Sequence, residues 1–224
     1  MSNKKRNLIE RLNSGPVICA EGFLFEIERR GYMSSGEFVP MVSLEHPEAL
    51  ENLHRDFQHG GSDIVEAFTY NGHREKMRVI GKEELLEPLN RAALKIAKKV
   101  ANSPLGKEPN LMAGNISNSN IWDAKDPKTH KEVEKMFSEM VEWAVDEGAD
   151  MLIGETFYYA EEAYTALKVM KKSGLPGNLF AYCKYVISNS SKVFFIINSI
   201  SVGPFDLAFS CAFLTTASPS GDIH

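Results

Sequence analysis

Candidate site residues follow four short apolar runs, and their types decide which chemistry is open to the chain. They are Glu21, Gly22, Glu66, Thr69, Tyr70, Asn115 and Glu155. Barrel enzymes place their sites at the carboxyl ends of parallel strands, so these residues are candidates for a small-molecule site. A barrel aldolase or metal-dependent hydrolase would need a lysine or a metal cluster at these ends. The sequence shows neither there, so a polar substrate site is the simpler prediction.

The apolar runs themselves predict buried parallel strands. They cover residues 17–20, 63–69, 110–116 and 150–154, with a fifth candidate at 179–182. Each run is short enough for a strand buried on both faces. Amphipathic helical patterns lie between them, at residues 47–59, 83–101, 131–147 and 160–172. Pro88 lies inside the second pattern, so we expect the regular helix there to begin at Pro88.

The alternation of strand and helix, at a period of roughly 40 residues, is typical of a parallel sheet covered by helices. No GxGxxG follows a strand and no GxxxxGK[ST] occurs, so a dinucleotide-binding or P-loop fold loses its support. The sequence therefore predicts an α/β fold of the (β/α)8 TIM-barrel type. The fold is expected to be incomplete, with about the first four to five βα units present.

Composition and charge exclude further classes. The net charge of −5, without a long basic run, argues against nucleic-acid binding. Residues 1–13 predict a short amphipathic helix and lack the apolar stretch of a signal peptide. The cysteines at 19, 183 and 211 form no CxxC pair, so no disulfide framework or local zinc knuckle is indicated. We expect a cytoplasmic protein that binds neither nucleic acid nor membrane.

The last part of the sequence differs in composition from the rest. Residues 177–224 hold four of the 55 charged residues, and they show neither helical nor alternating periodicity. The codons of Gly177 and Asn178 can contain GUAA, a common intron start. We therefore predict two regions: residues 1–176 as the N-terminal part of a barrel domain, and residues 177–224 as an anomalous tail. One hypothesis is that the tail is translated intron, and the alternative is a real but divergent end.

Several segments, taken in order and spacing, resemble the homocysteine S-methyltransferase family, and within it the betaine–homocysteine S-methyltransferases. The resemblance covers about residues 8–176. Its segments are EGFLFEIERRGY from residue 21, VSLEHPEAL from residue 42, LHRDF from residue 53, EAFTY from residue 66, LMAG from residue 111, DMLIGE from residue 150 and AEEA from residue 160.

The resemblance implies transfer of a methyl group, with betaine as donor, to the sulfur of homocysteine, giving methionine. In the family, zinc binds the substrate sulfur and holds it as the reactive thiolate. Three cysteines hold that zinc: one ends the sixth strand, and an adjacent pair ends the eighth in a Gly-Gly-Cys-Cys motif. Cys19, Cys183 and Cys211 match none of these positions. Zinc is therefore implied for the family, and we expect that this chain does not bind it.

The resemblance also implies which residues bind the amino acid. Glu155 matches the glutamate after strand four that contacts the amino group of homocysteine, a suitable partner because a carboxylate pairs with an ammonium. It is the residue assigned to the catalytic site. Glu21 and Gly22 lie where the family has Asp-Gly, which contacts the amino acid and shapes the turn. In strict register Ala20 takes the aspartate position, and Glu21 substitutes through a one-residue shift.

A quaternary ammonium donor such as betaine is held over aromatic faces. Phe38 matches a tryptophan of the family, and Tyr70 matches the first of two successive aromatic residues, the second of which is Asn71 here. Thr69, in the same segment, joins the substrate-binding set. Trp122, near the loop after the third strand, is a further candidate. Another ammonium or sulfonium donor stays open.

Two hypotheses of different class remain. In the first, the chain derives from an active zinc-dependent methyltransferase. In the second, it is a truncated, non-catalytic barrel fragment that binds a partner or a small amino acid at most. Family members form oligomers, so a homo-oligomer is expected, although the elements that build those contacts are implied to lie further along the family's chain.

Overall fold

A sheet of four parallel strands forms the centre of the molecule in the computed structural model, which describes residues 5–33, 39–103, 105, 108–181, 195–198 and 210–213. The strands are β1 Ile64–Glu66, β2 Leu111–Ser117, β3 Met151–Phe157 and β4 Gly177–Ala181, in that order across the sheet. The first three are buried along almost their whole length. This burial on both faces explains why they appear in the sequence as continuous apolar runs.

Helices precede and connect these strands. Before β1 come α1 Leu8–Leu12, α2 Phe23–Arg29, α3 Val42–Glu45 and α4 Pro47–His59. Between β1 and β2 lie α5 Arg74–Val79, a short 3-10 turn at Glu83–Leu85 and α6 Leu86–Ala101. The two later crossovers are single helices, α7 Pro127–Asp146 and α8 Ala160–Lys172. Parallel neighbours need such crossover connections, because a tight turn cannot join them.

The predicted strand at residues 17–20 is wrong as a regular strand. The segment lies beside β1, but it makes only an isolated parallel bridge between Cys19 and Ile64. Side chains replace part of the ladder: the Asp63 carboxylate accepts the Ile18 N–H at 2.8 Å, and the Ser62 hydroxyl accepts the Ala20 N–H at 3.0 Å. Apolar content alone could not reveal that polar side chains would take the backbone's partners.

The fifth predicted strand exists, and it begins two residues earlier than expected. β4 pairs with β3 in parallel, with Leu152 opposite Gly177. A separate antiparallel pair is formed by β5 Phe195–Asn198 and β6 Ser210–Phe213. In the described part of the chain the parallel sheet is open, so the expectation of a TIM barrel is reduced to a parallel α/β sheet.

Two of the four predicted helices have the predicted bounds, α4 and α8. The helix around Pro88 begins at Leu86 rather than at Pro88 itself. Proline is accepted there because the first-turn N–H groups of a helix have no partner within the helix. α7 begins four residues before the prediction, since Asp126 caps it by accepting the Lys128 N–H at 2.9 Å and Pro127 fits the first turn.

α7 packs very closely against the sheet at Gly114, in the middle of β2. A methyl group built on Gly114 would lie 2.5 Å from the Cβ atom of Ala144 and 3.1 Å from a methyl carbon of Leu152. Only glycine fits this contact. This contact fixes the position of α7 relative to β2. The next residue of β2 is Asn115.

Of the helices that the structure describes, none is both long enough and apolar enough to cross a membrane.

Candidate functional site

A cavity of about 380 Å³ lies at the carboxyl ends of β1, β2 and β3. Its position agrees with the prediction that polar residues after the strands would meet at one face. Acidic, amide and aromatic side chains dominate its walls. The residues that line it are Glu21, Gly22, Phe23, Leu24, Phe25, Glu66, Ala67, Phe68, Tyr70, Asn115, Glu155 and Thr156.

Strand geometry brings Glu66, Asn115 and Glu155 together. Side chains two residues apart share one face of a strand. On this face the residues before them are apolar and buried, with Ile64 in β1, Ala113 in β2 and Ile153 in β3 all in one core cluster. The three polar residues therefore form the next layer, which is the floor of the cavity.

A single amide joins the buried Glu66 carboxyl group to the partly buried Glu155 carboxyl group. The Asn115 Nδ2 atom donates a hydrogen bond to Glu66 Oε1 and another, of 2.6 Å, to Glu155 Oε1. Glu66 and Asn115 are only 3% and 4% exposed. The Asn115 Oδ1 atom is buried and has no hydrogen-bond partner among the described residues.

Burial and nearby carboxyl groups make Glu66 and Glu155 hold their protons more tightly. Burial raises the pKa of Glu66 well above its ordinary value, and the nearby Glu155 carboxyl raises it further. Burial also raises the pKa of Glu155 to about 7, opposed by the hydrogen bond from Asn115 and reinforced by Glu21. Partial desolvation raises the pKa of Glu21, at the mouth of the cavity.

Glu155 is followed by a strained residue. Thr156 has φ of +58°, a conformation that a β-branched side chain rarely adopts. The register between β3 and β4 shifts between Gly154 and Phe157, so the strand is irregular at this point. Such irregularities re-aim side chains and are frequent beside active sites.

Aromatic rings form part of the walls. Phe23 stacks on Phe68 with ring centroids 5.7 Å apart. Tyr70 is half-buried, and burial raises the pKa of its phenol, which keeps the phenol neutral. Phe25, at the mouth, is 71% exposed. Aromatic surface beside carboxyl groups is complementary to an organic cation.

The structure brings together four of the six predicted site residues. Glu21, Gly22, Tyr70 and Glu155 all line the cavity. Gly22 is the N-cap residue of α2. Its φ of +90° is a left-handed conformation that favours glycine. Glu21 lies beside the cavity, and its one-residue shift from the family's aspartate position stays a prediction.

Thr69 and Trp122 do not line the cavity. The buried Thr69 hydroxyl donates to the Asn115 backbone oxygen at 2.7 Å, so it ties the end of β1 to β2. Trp122 is buried and stacks on His130 with ring centroids 4.2 Å apart. The remaining prediction, Phe38, lies outside the described residues.

Sequence reasoning named Glu66 and Asn115 among the candidates at strand ends but did not include them in the substrate-binding set. The sequence did carry a signal for them. Ile64 and Ala113 lie two residues before Glu66 and Asn115, so each polar residue shares a strand face with an apolar one. Phe23 and Phe68 lie within segments that carried the family resemblance, and they were not singled out.

No group of three histidine, cysteine or acidic residues suited to a metal ion occurs within the described ranges. Cys19 is the one free cysteine there whose side chain is described. Burial, followed by the charge of Glu66, raises the pKa of its thiol, which opposes formation of the thiolate that binds metals.

Sequence comparison decides the family. The profile of the homocysteine S-methyltransferase family matches residues 18–197. The chain belongs to this family. The match continues 21 residues beyond residue 176, where the resemblance noted from the sequence ended.

Members of the family from vertebrates are similar over most of the chain. Betaine–homocysteine S-methyltransferase 1 of Bos taurus is 37% identical over 78% of this chain and 42% of its own length. The Sus scrofa protein of the same name is 36% identical, over 77% of this chain and 62% of its own. S-methylmethionine–homocysteine S-methyltransferase of Pongo abelii is 36% identical, over 77% and 45%. The chain thus spans about half the length of these relatives.

A solved structure has the same fold. The metallated form of the homocysteine methyltransferase MmuM from Escherichia coli superposes with a TM-score of 0.66, covering 77% of this chain and 65% of that one. The sequence identity is 18%, so this likeness concerns the fold alone. The family profile and the similar sequences confirm the family that the sequence segments indicated.

Proposed function

We propose that the cavity at the strand ends binds homocysteine as the acceptor of a methyl group. The observation that carries the proposal is the acidic floor of this cavity in a member of the homocysteine S-methyltransferase family. The amino group of homocysteine is a cation at neutral pH. Glu155 offers it a carboxylate away from bulk water, where charge-assisted hydrogen bonds are strong.

Betaine is the donor that we propose. It is a quaternary ammonium compound, and aromatic faces attract such cations. Phe23, Phe68 and Tyr70 supply aromatic surface in the cavity. The names of the Bos taurus and Sus scrofa relatives support betaine, whereas that of the Pongo abelii relative favours S-methylmethionine, a sulfonium donor.

In the proposed reaction the methyl carbon leaves the donor nitrogen and bonds to the homocysteine sulfur. The donor keeps the electron pair of the broken bond and becomes a neutral tertiary amine, and the thiol proton is lost before or during transfer. Glu155 holds the amino acid in place, while the aromatic walls orient the donor and exclude water. Orientation of this kind lowers the barrier by removing much of the entropy cost of bringing two reactants together.

Zinc is the cofactor that the family resemblance implies, and in the family it supplies the thiolate form of the substrate. The residues in the described ranges do not fit this role, because Cys19 is a single buried thiol with a raised pKa. No step is therefore assigned to zinc in this part of the chain. Zinc content of the purified protein is the matching measurement: about one equivalent would favour catalysis.

A second candidate is binding without catalysis, the fragment hypothesis made from the sequence. It is favoured by the combination of a formed cavity and the absence of a metal-ligand group in the described residues. Such a protein would bind homocysteine or methionine and turn nothing over.

A methyl-transfer assay separates these candidates. The purified chain is incubated with zinc, homocysteine and either betaine or S-methylmethionine, and methionine is measured by mass spectrometry. Methionine formed with betaine and lost in Glu155→Gln is the expected result. Binding of homocysteine without methionine from either donor would reject the catalytic proposal and favour the second candidate.

A further inference from the structure

The charges that line the cavity do not balance. It gathers the carboxyl groups of Glu21, Glu66 and Glu155, and no lysine, arginine or histidine is among the described residues that line it. A buried carboxylate without a cationic partner is costly, and two of them side by side cannot both stay ionised at neutral pH. An empty cavity must therefore hold a proton where a cation would otherwise lie.

The geometry locates this proton at Glu66 and Glu155. Both carboxyl groups accept a hydrogen bond from the same nitrogen, Asn115 Nδ2, so they are held next to each other on the floor of the cavity. That amide has two N–H groups and uses both. Asn115 cannot neutralise a second negative charge, because an amide side chain carries no positive charge.

We propose that Glu66 and Glu155 share one proton while the cavity is empty, and that the ammonium group of an amino-acid ligand displaces this proton to solvent. Glu66 is then a specificity-determining residue, because it gives the site a second carboxylate that only a cation can satisfy. The inference rests on the proposed function, since it takes homocysteine as the ligand.

The other titratable groups around the pair leave this assignment unchanged. The Cys19 thiol lies 3.8 Å from Glu66 Oε2 and stays protonated, since burial raises its pKa. The Tyr70 phenol also stays protonated. Glu21 adds negative charge at the mouth. His54, behind the ring of Phe23, stays neutral because burial lowers its pKa to about 3. Among these groups the hydrogen bond from Cys19 opposes the shared proton by lowering the pKa of Glu66, and burial and the charge of Glu155 outweigh it.

Ligand choice and pH dependence follow from this arrangement. Below neutral pH an ammonium group competes with the shared proton, so affinity rises with pH until the proton is lost and then levels off. An analogue without the amino group cannot replace the proton, so it gains nothing from the floor of the cavity. Glu66→Gln would remove the second carboxylate and weaken this competition, because only the Glu155 proton would be left.

The free protein is tested first, by carbon NMR of the full chain labelled at the glutamate carboxyl carbons. Two cavity carboxyl groups with raised midpoints are expected, that of Glu155 near pH 7, and Glu66→Gln should remove the other titration. Glu162→Gln is the matched control: this buried glutamate lies outside the cavity, and its Oε1 atom alone accepts both bonds from Ser119. It should leave both midpoints unchanged.

Calorimetry then measures the coupling. L-homocysteine is titrated into the protein at pH 7 in phosphate and in Tris, whose ionisation enthalpies differ, so the difference in heat gives the protons released. Release of about half a proton to one proton is expected for the wild type and for Glu162→Gln. In Glu66→Gln the release should be smaller, because only the Glu155 proton is left to displace. The same thiol acid without the amino group should release none.

The outcomes separate this inference from the proposed function. If every cavity carboxyl titrates below pH 5, or if homocysteine binds without releasing a proton, the shared proton is rejected while the proposed function stands. If a carboxyl titrates near pH 7 but homocysteine does not bind, the proposed function and the displacement step are both rejected. The wild-type measurements decide this even if Glu66→Gln does not fold.

Discussion

Glu155 is the residue on which the proposed site depends most, because its carboxyl group is partly buried and its pKa is raised to about 7. Its neighbours explain this. Glu66 shares the amide of Asn115 with it, and Thr156 is held at a strained φ immediately after it. A carboxyl group that merely capped a strand end would not need a second buried acid beside it.

The raised pKa of Glu155 makes stability depend on pH. The folded protein keeps the Glu155 proton up to about pH 7, whereas the unfolded chain loses it near the ordinary value of 4.5. The folded state therefore binds more protons between these values, and its stability falls as pH rises from about 4.5 to about 7. Glu155→Gln should remove part of this fall and stabilise the protein at pH 8 by on the order of 1–3 kcal/mol.

Urea unfolding at pH 5 and pH 8 measures this effect. Glu161→Gln, which changes an exposed carboxyl on α8, is the comparison variant. A Glu155→Gln protein as pH-dependent as the wild type would show that Glu155 is ionised in the empty cavity.

Cys19 offers a second test at the scale of one residue. Burial and the charge of Glu66 raise the pKa of its thiol, so little thiolate exists at pH 8. Iodoacetamide should label Cys19 many times more slowly in the folded protein than in urea, as read by peptide mass spectrometry. Labelling at the same rate in both would contradict a buried, protonated thiol. Rapid labelling would also make Cys19 a better metal ligand than proposed.

At the scale of elements, the contact between β2 and α7 determines where Asn115 lies. Gly114→Ala should destabilise the fold by about 1–3 kcal/mol, because the new methyl group would overlap Ala144 and strain the packing. Gly60→Ala is the control, since the backbone there is right-handed and the nearest atoms are at ordinary contact distance. Thermal unfolding measures both, and equal melting temperatures would contradict the close packing of α7 on the sheet.

Much of the element order could be predicted from the sequence, for identifiable reasons. α4 and α8 have strong apolar periodicity between clear start and stop residues, so both ends were predicted correctly. Residues 17–20 were wrongly predicted as a strand, because Ser62 and Asp63 take over backbone bonds that apolar content cannot foresee. Local patterns reveal periodicity, but they do not reveal which side chain will satisfy a backbone group.

The candidate site was predicted in part for a related reason. Glu21, Tyr70 and Glu155 were found from their positions after strands and from the family resemblance. The pairing of Glu66 with Glu155 depends on the register of three strands and on Asn115 between them. Register is a tertiary property, so the pairing became visible only in the structure.

At the scale of the whole molecule, the hypothesis about the tail concerns the region after residue 176. Gly177 begins β4 and pairs with β3, and the family match extends to residue 197. The hypothesis that residues 177–224 are translated intron stays a prediction. Sequencing the transcript across the junction of Pro176 and Gly177 checks it: a main message that skips residues 177–224 is the result it predicts, and read-through to His224 would contradict it.

Binding of L-homocysteine to the full chain tests the central claim most directly. Isothermal calorimetry at pH 7.5 should show one site in the wild type and in Glu161→Gln. Glu155→Gln should bind about 10- to 100-fold more weakly, which is the loss expected for a hydrogen bond to a charged group. Equal affinity in all three proteins, or no binding to the wild type, would contradict the claim that this acidic cavity binds the amino group of homocysteine.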